Sequence, residues 1–177
     1  EVIDAIKKGD IPMDVKIKDP KKLAKELTEL GLRPEDVKHV YTIHGANIFT
    51  NCTKGIQYLH ETRELLMDAF KEAVDKGPRS WEPVEGLLIK LMDAKLHEDN
   101  IHRGPGQVIP AARAGIYGAM VEAGTTLLEP KQKLFVSVPQ DLMGNVNSQL
   151  TTRRCTIEDM PMERDQVTIV AKAPVSE

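Results

Sequence analysis

The feature that most constrains the fold is an amphipathic helix predicted between about Lys54 and Lys76. Its apolar residues recur at offsets of 0, 3, 10, 14 and 17, and they are Ile56, Leu59, Leu66, Phe70 and Ala73. A helix with about 3.6 residues per turn places these offsets on one stripe. Gly77-Pro78 ends the helix, and strands are predicted on both sides of it, over residues 46–52 and Val84–Leu96. This strand–helix–strand order indicates an α+β fold.

The segment before these elements is predicted to form a helical hairpin. Asp19 can cap a helix whose first turn contains Pro20, and Gly31 ends that helix. A second short turn follows at Pro34-Glu35-Asp36, and Val40–Ile43 is predicted as a strand. The apolar stripe of the first helix consists of Leu23, Leu27 and Leu30.

The segment from His97 to Gln107 has no apolar periodicity and is predicted to be an exposed loop. Gly104-Pro105-Gly106 indicates a tight turn within it. A second amphipathic helix is predicted to open at Ile109-Pro110 and to end at Gly124. Its buried face should contain Ala112, Ile116, Met120 and Ala123.

A domain boundary is predicted near Leu128-Glu129-Pro130, which divides the chain into residues 1–128 and 129–177. The second part shows a strand, a helix and two further strands, a β-α-β-β order that opens a small α+β sandwich. These elements are predicted over residues 133–138, 140–154, 155–159 and 166–173. The second part ends before another helix or strand is seen, so we expect that domain to be truncated.

The composition is typical of soluble globular proteins, with 41% apolar and 29% charged residues. No apolar run is long enough for a transmembrane helix, and the N-terminus does not resemble a signal peptide. Cys52 and Cys155 form no CxxC pair. This cysteine usage predicts a cytoplasmic protein with neither a disulfide framework nor a zinc knuckle, and no membrane partner is expected.

The charge is unevenly distributed along the chain. Residues 56–99 contain six Lys or Arg and ten Asp or Glu, a balance of −4. Residues 100–155 contain six Lys or Arg and three Asp or Glu, a balance of +3. Such polarity can orient a protein on a polyanion, although scattered solvated charge is the commoner explanation of a pattern like this.

The sequence does not fit three common enzymatic motifs. His97 and His102 are five positions apart, whereas a zinc peptidase needs a spacing of four on a helix. Gly104-Pro105-Gly106 lacks the lysine and the length of a phosphate-binding loop, and proline removes a backbone donor. No serine lies in a nucleophile-elbow context. No catalytic residue and no metal site is therefore predicted.

His102 lies between Ile101 and Arg103 in the predicted loop, where it should project from the protein. Basic residues in the same part of the sequence could contact RNA phosphates. These possible RNA contacts are Arg103, Arg113, Lys131, Lys133, Arg153 and Arg154. The residues alone thus predict an interaction module with a projecting basic loop.

The stretch from Leu96 to Pro110, LHEDNIHRGPGQVIP, resembles the diphthamide loop of the elongation factor 2 family. The family pattern is L-H-x-D-x-I-H-R-G-x-x-Q-x-I-P, and every fixed position matches. Pro105 stands where eukaryotic members tend to have glycine, which indicates an archaeal-type protein. Further similar stretches are Thr53–Leu59, Leu128–Pro130, Val138-Pro139 and Arg153-Arg154.

The resemblance implies two domains. Residues 1–128 would be domain IV, an arm with a left-handed β-α-β crossover that lacks its first strand. Residues 129–177 would be the first half of domain V, a ferredoxin-like sandwich that contacts ribosomal RNA. The GTPase domain of the parent factor would lie elsewhere, so GTP and magnesium would bind the parent, and this chain would be no enzyme and hold no cofactor.

The resemblance also implies a function in protein biosynthesis. His102 would be the residue that is converted to diphthamide and that accepts ADP-ribose from diphtheria-type toxins. The loop would follow tRNA and mRNA through the decoding centre of the small ribosomal subunit during translocation, and diphthamide-synthesis enzymes would be further partners. The residues that shape the loop would be Glu98, Asp99, Arg103, Gly104 and Gln107. The alternative is a small nucleotide-binding enzyme of the kinase superfamily, which shares the arm fold.

Overall fold

The computed structural model describes all 177 residues, Glu1–Glu177. The chain divides into two compact units, Glu1–Thr126 and Leu127–Glu177. The first unit contains a three-stranded sheet and the second a four-stranded sheet, and both sheets are accompanied by helices. The α+β class predicted from the sequence is confirmed. No helix combines the length and the apolar character that crossing a membrane requires.

The helices of the first unit largely follow the predicted pattern. The carboxylate of Asp19 caps the second helix, since its Oδ1 accepts hydrogen bonds from the backbone N–H of Lys21 at 3.1 Å and of Lys22 at 3.0 Å. The first helix was not predicted. The five helices are α1 (Val2–Lys8), α2 (Pro20–Glu29), α3 (Pro34–Val37), α4 (Leu59–Asp75) and α5 (Pro105–Glu122).

The sheet of the first unit has the order β1-β2-β3, with β1 at Val40–His44, β2 at Asn47–Asn51 and β3 at Leu88–Leu91. β1 and β2 form an antiparallel hairpin, and β2 runs parallel to β3 after the crossover through α4. Because β2 and β3 are parallel, the segments that follow them leave the sheet at the same edge. This edge carries the candidate functional site.

The predicted length of the strand over Val84–Leu96 is wrong, because β3 has only four residues. β2 ends at Asn51, which pairs with Leu91, so the chain beyond Leu91 has no neighbouring strand to pair with. The predicted helix start near Lys54 is also wrong, since α4 begins at Leu59.

The core beside the site is formed where α4 packs on the sheet and on α5. Phe49 of β2 stacks on Phe70 of α4, with ring centroids 5.2 Å apart, and Phe70 is completely buried. The predicted apolar stripe of α4 is confirmed, because Leu59, Leu66, Phe70 and Ala73 are buried and Ile56 packs against them. A second cluster lies between α1, α2, α3 and the β1–β2 hairpin. The two clusters fix the positions of β2 and β3.

Two ionic contacts of His44, at the end of β1, link three parts of the first unit. Its Nδ1 hydrogen-bonds Asp14, in the segment between α1 and α2, and its Nε2 lies 2.7 Å from Oδ1 of Asp75, the last residue of α4. Partial burial of the ring disfavours the charged imidazolium, but the hydrogen bonds to Asp14 and Asp75 outweigh it, so the pKa of His44 is raised.

We expect His44→Gln to reduce the free energy of unfolding by about 1 kcal/mol in mildly acidic solution and by less in alkaline solution. A raised pKa in the folded state means that this stabilisation is fully present below the unfolded pKa of about 6.5 and is lost as the pH rises through the folded pKa. Urea unfolding between about pH 5.5 and pH 8.5 measures it. His39→Gln, at an exposed position, is the control; a difference that stays constant with pH would contradict the account.

The second unit contains β4 (Lys131–Pro139), α6 (Met143–Thr152), β5 (Thr156–Asp159), β6 (Met162–Glu163) and β7 (Gln166–Pro174). Its sheet has the order β4-β7-β5, all antiparallel, with β6 also paired to β7. The predicted β-α-β-β order is therefore observed, and β6 is the addition. The predicted helix began at residue 140, but Gln140–Leu142 is a 3-10 turn and α6 starts at Met143.

Candidate functional site

The segment between β3 and α5, residues 92–104, is called the tip loop here. It follows β3, and it ends in a 3-10 turn at Asn100–Arg103. The predicted loop extended to Gln107, but α5 already begins at Pro105, with Gly104 as its N-cap. Gly104-Pro105-Gly106 is thus the first turn of a helix and not a separate tight turn. Proline fits the first helical position because its missing N–H would have no partner there.

Asp99 holds the 3-10 turn in place. Its Oδ1 accepts a hydrogen bond from the backbone N–H of Ile101 at 3.0 Å, and its carbonyl accepts one from the N–H of His102 at 3.2 Å. Its own N–H donates to Nδ1 of His97 at 3.0 Å. Three bonds from one residue therefore give the exposed turn a defined shape.

Arg103 fastens the tip loop from the inside. Its Nη1 donates to the carbonyls of His97 and Glu98, both at 2.6 Å, and its Nη2 pairs with Glu61 of α4 at 2.5 Å. The guanidinium also lies 4.2 Å from the centroid of the Tyr58 ring. The side chain is only 6% exposed. The prediction that Arg103 contacts RNA is therefore corrected, because its donors are directed into the protein.

His102 is exposed on the outer side of the turn. Its ring meets the ring of His97 edge-on, with centroids 4.6 Å apart. Beside it, Ile101 is 74% exposed, although a large apolar side chain would ordinarily be buried. The structure thus presents an imidazole and an aliphatic side chain together on a turn that Asp99 and Arg103 hold.

The other predicted loop-shaping residues lie around the same turn. Glu98 contributes its carbonyl to Arg103, while its side chain is exposed. A side chain at Gly104 would lie 3.2 Å from Oε1 of Gln107 and would press on it. The carbonyl of Gly104 accepts hydrogen bonds from the N–H groups of Gln107 at 3.1 Å and Val108 at 3.0 Å, which starts α5.

The predicted basic residues are divided between the two units. In the first unit, Arg113 of α5 pairs with Glu72 of α4 at 2.7 Å. In the second unit, Lys133 lies 3.6 Å from Glu158, and Arg154 pairs with Glu129 and Glu177, both at 3.0 Å. Lys131 and Arg153 are exposed and make no ion pair. These last two are the predicted contacts that are most available to a phosphate.

Sequence reasoning missed the two residues that hold Arg103, which are Tyr58, the N-cap of α4, and Glu61 in its first turn. The only available signal was that Tyr58 lies within the similar stretch Thr53–Leu59. The structure contains no group of three or more His, Cys, Asp or Glu side chains that could hold a metal ion. The arrangement can present a histidine to another molecule.

Comparison with known proteins gives matches over nearly the whole chain. The family model "Elongation factor G, domain IV" matches residues 2–124, and "Elongation factor G C-terminus" matches residues 126–177. Elongation factor 2 of Picrophilus torridus is 54% identical over 175 residues, or 99% of this chain. The proteins of the same name from Thermoplasma volcanium and Pyrococcus furiosus are 51% and 46% identical over 99% and 100% of it. The chain spans 24% of the length of each of these relatives.

Proposed function

The chain belongs to the elongation factor G family of translation elongation factors, and on that premise we propose that its tip loop faces RNA in the ribosomal decoding centre. His102 is the residue that is converted to diphthamide in this proposal. The tip then follows tRNA and mRNA during translocation. Family membership argues against the alternative of a small kinase-like enzyme, because both units match elongation-factor domains.

The observation that carries the proposal is the exposure of His102 on a turn held from within. A modifying enzyme must reach the imidazole, and His102 is exposed while its neighbour Arg103 is buried. The backbone around it is fixed by Asp99 and by the contacts of Arg103 with α4. A fixed turn loses little conformational entropy on binding. More of the free energy of the contacts at its tip therefore contributes to affinity.

The modification adds reach and charge to this position. A diphthamide side chain is long and cationic, so it can approach RNA phosphates or sugars that an unmodified imidazole does not reach. Lys131 and Arg153, which are exposed and make no ion pair, are the remaining candidates for phosphate contacts elsewhere on the chain. The partners are ribosomal RNA, the tRNA–mRNA pair and the diphthamide-synthesis enzymes. GTP and magnesium belong to the parent factor, and this chain supplies contacts without catalysis.

The proposal is tested in the complete factor by the rate of translocation. We expect His102→Ala to slow translocation about tenfold, which corresponds to the loss of about 1.4 kcal/mol of contacts at the tip. GTP hydrolysis should be unchanged, because the exchanged residue lies outside the GTPase domain. Toeprinting of ribosomes gives the first rate, and phosphate release gives the second.

His39→Ala is the matched control, since His39 is also exposed but lies outside the tip loop. It should leave both rates unchanged. Equal translocation rates for His102→Ala and the unaltered factor would contradict the proposed role of the tip.

A further inference from the structure

We propose that a pocket of the first unit, beside Tyr41 and Arg63, binds one nucleotide of single-stranded RNA. This inference rests on the proposed RNA-facing function and adds a site to it. The pocket has a volume of about 380 Å³, and its polar lining is formed by Tyr41, Asn51, Thr53, His60 and Arg63. Small-ligand sites range from about 300 to 1,000 Å³, so one nucleotide is of the right order.

The pocket lies at the same end of the sheet as the tip loop. Asn51 ends β2 and Leu91 ends β3, and these parallel strands are in register there. The first turns of α4 connect the two places. Glu61 of α4 binds Arg103 of the tip loop, whereas His60 and Arg63 of the same helix line the pocket. RNA that meets the tip loop would therefore pass close to the pocket.

Arg63 places one positive charge in the lining, and no carboxylate of the lining compensates it. His60 and Arg63 line the pocket, and no Asp or Glu does. Neither of the two makes an ion pair, in contrast to Arg113 and Arg103, which pair with Glu72 and Glu61. Both side chains are exposed and can meet a phosphate. Charge complementarity thus favours an anionic ligand.

The rest of the lining fits a base. The Tyr41 ring is held edge-on against Phe49, with centroids 5.6 Å apart, and the Arg63 guanidinium lies 4.8 Å from its centroid. Burial raises the pKa of Tyr41, so its hydroxyl stays neutral and able to donate. Because the guanidinium lies over the Tyr41 ring, a base would stack on the guanidinium plane, a platform that proteins use for single-stranded bases.

Asn51 adds a directed polar group. Its Oδ1 accepts hydrogen bonds from the N–H of Thr53 at 2.9 Å and from the Thr53 hydroxyl at 2.8 Å. These bonds fix the amide orientation. One hydrogen of its NH₂ group is directed at the Tyr41 hydroxyl, and the other remains for donation toward the acceptor edge of a base. A phosphate, a base face and a base edge occur together in a nucleotide, which is why we infer this ligand class.

The test is the binding of a fluorescein-labelled single-stranded RNA hexamer to the 177-residue chain, followed by fluorescence anisotropy. We expect Arg63→Gln to raise the Kd about tenfold and to lower the slope of log affinity against log salt by about 0.7, the value for one phosphate contact on a single strand. Lys25→Gln on α2 removes the same charge elsewhere and should change neither quantity. Circular dichroism verifies that both variants are folded.

The possible outcomes separate this inference from the proposed function. Unchanged RNA affinity in Arg63→Gln, or an equal loss of RNA affinity in Lys25→Gln, would contradict RNA binding by the pocket. Neither result bears on the predictions for His102. Complete displacement of the RNA by adenosine monophosphate at comparable concentration also overturns it, since the pocket would then take free nucleotides. If the unaltered chain does not bind the RNA, the result contradicts both the proposed pocket and the proposed RNA-facing function.

Discussion

His102→Gln is expected to abolish ADP-ribosyl transfer to this protein by a diphtheria-type toxin. The substrate is the protein from a host that makes diphthamide, incubated with toxin and labelled NAD. The expectation follows from the proposed modification of His102, on which such a toxin would act. The turn presents His102 to solvent while Asp99 and Arg103 hold its backbone. Gel autoradiography should show labelling fall from stoichiometric to background.

The control for this result is His39→Gln, which alters another exposed histidine and should retain full labelling. Labelling that persists in His102→Gln would place the acceptor elsewhere on the chain. Loss of labelling in both variants would indicate damage to the fold, which circular dichroism distinguishes.

Arg103→Leu is expected to reduce the free energy of unfolding of the first unit by about 3 kcal/mol. The exchange leaves the carbonyls of His97 and Glu98 without their donor, and it leaves Glu61 without its partner. It also removes the contact with the Tyr58 ring. Urea unfolding followed by tryptophan fluorescence measures this unit specifically, because the only tryptophan, Trp81, lies in it.

Arg113→Leu is the matched control for Arg103→Leu. It breaks an ion pair of similar length with Glu72, but its side chain is 41% exposed, so a change of about 0–1 kcal/mol is expected. Equal reductions of the free energy of unfolding in the two variants would mean that the burial of Arg103 contributes nothing to stability. Arg103→Leu should also lower the yield of diphthamide at His102, since the turn is no longer held.

The elements that local sequence determines were predictable. Asp19 and Pro20 are adjacent and supply the cap and the first helical position, and α2 begins where they predict. The stripe of α4 is likewise a property of one contiguous segment, and it is the face that is buried. The histidine of the tip loop was identified from a contiguous pattern, and the structure exposes it.

Contacts between distant segments were not predictable from the sequence. The inward orientation of Arg103 depends on Glu61, which is 42 positions away. Asn47 is completely buried and donates from Nδ2 to the carbonyls of His44, Gly45 and Val84, while its Oδ1 accepts from the N–H of Leu87. Its position in an apparent strand gave no sign of this role. The length of β3 was overestimated for the same reason, because it is limited by its neighbour and not by its own residues.

The most direct test of the central claim is the mass of the peptide that contains His102. The peptide is compared between protein purified from an archaeal host and protein made in a bacterial strain without diphthamide synthesis. The account predicts the added mass of diphthamide, localised to His102 by fragmentation, in the archaeal sample alone. An unmodified His102 in both samples would contradict the claim, and it would leave the tip loop as an exposed turn with an ordinary histidine.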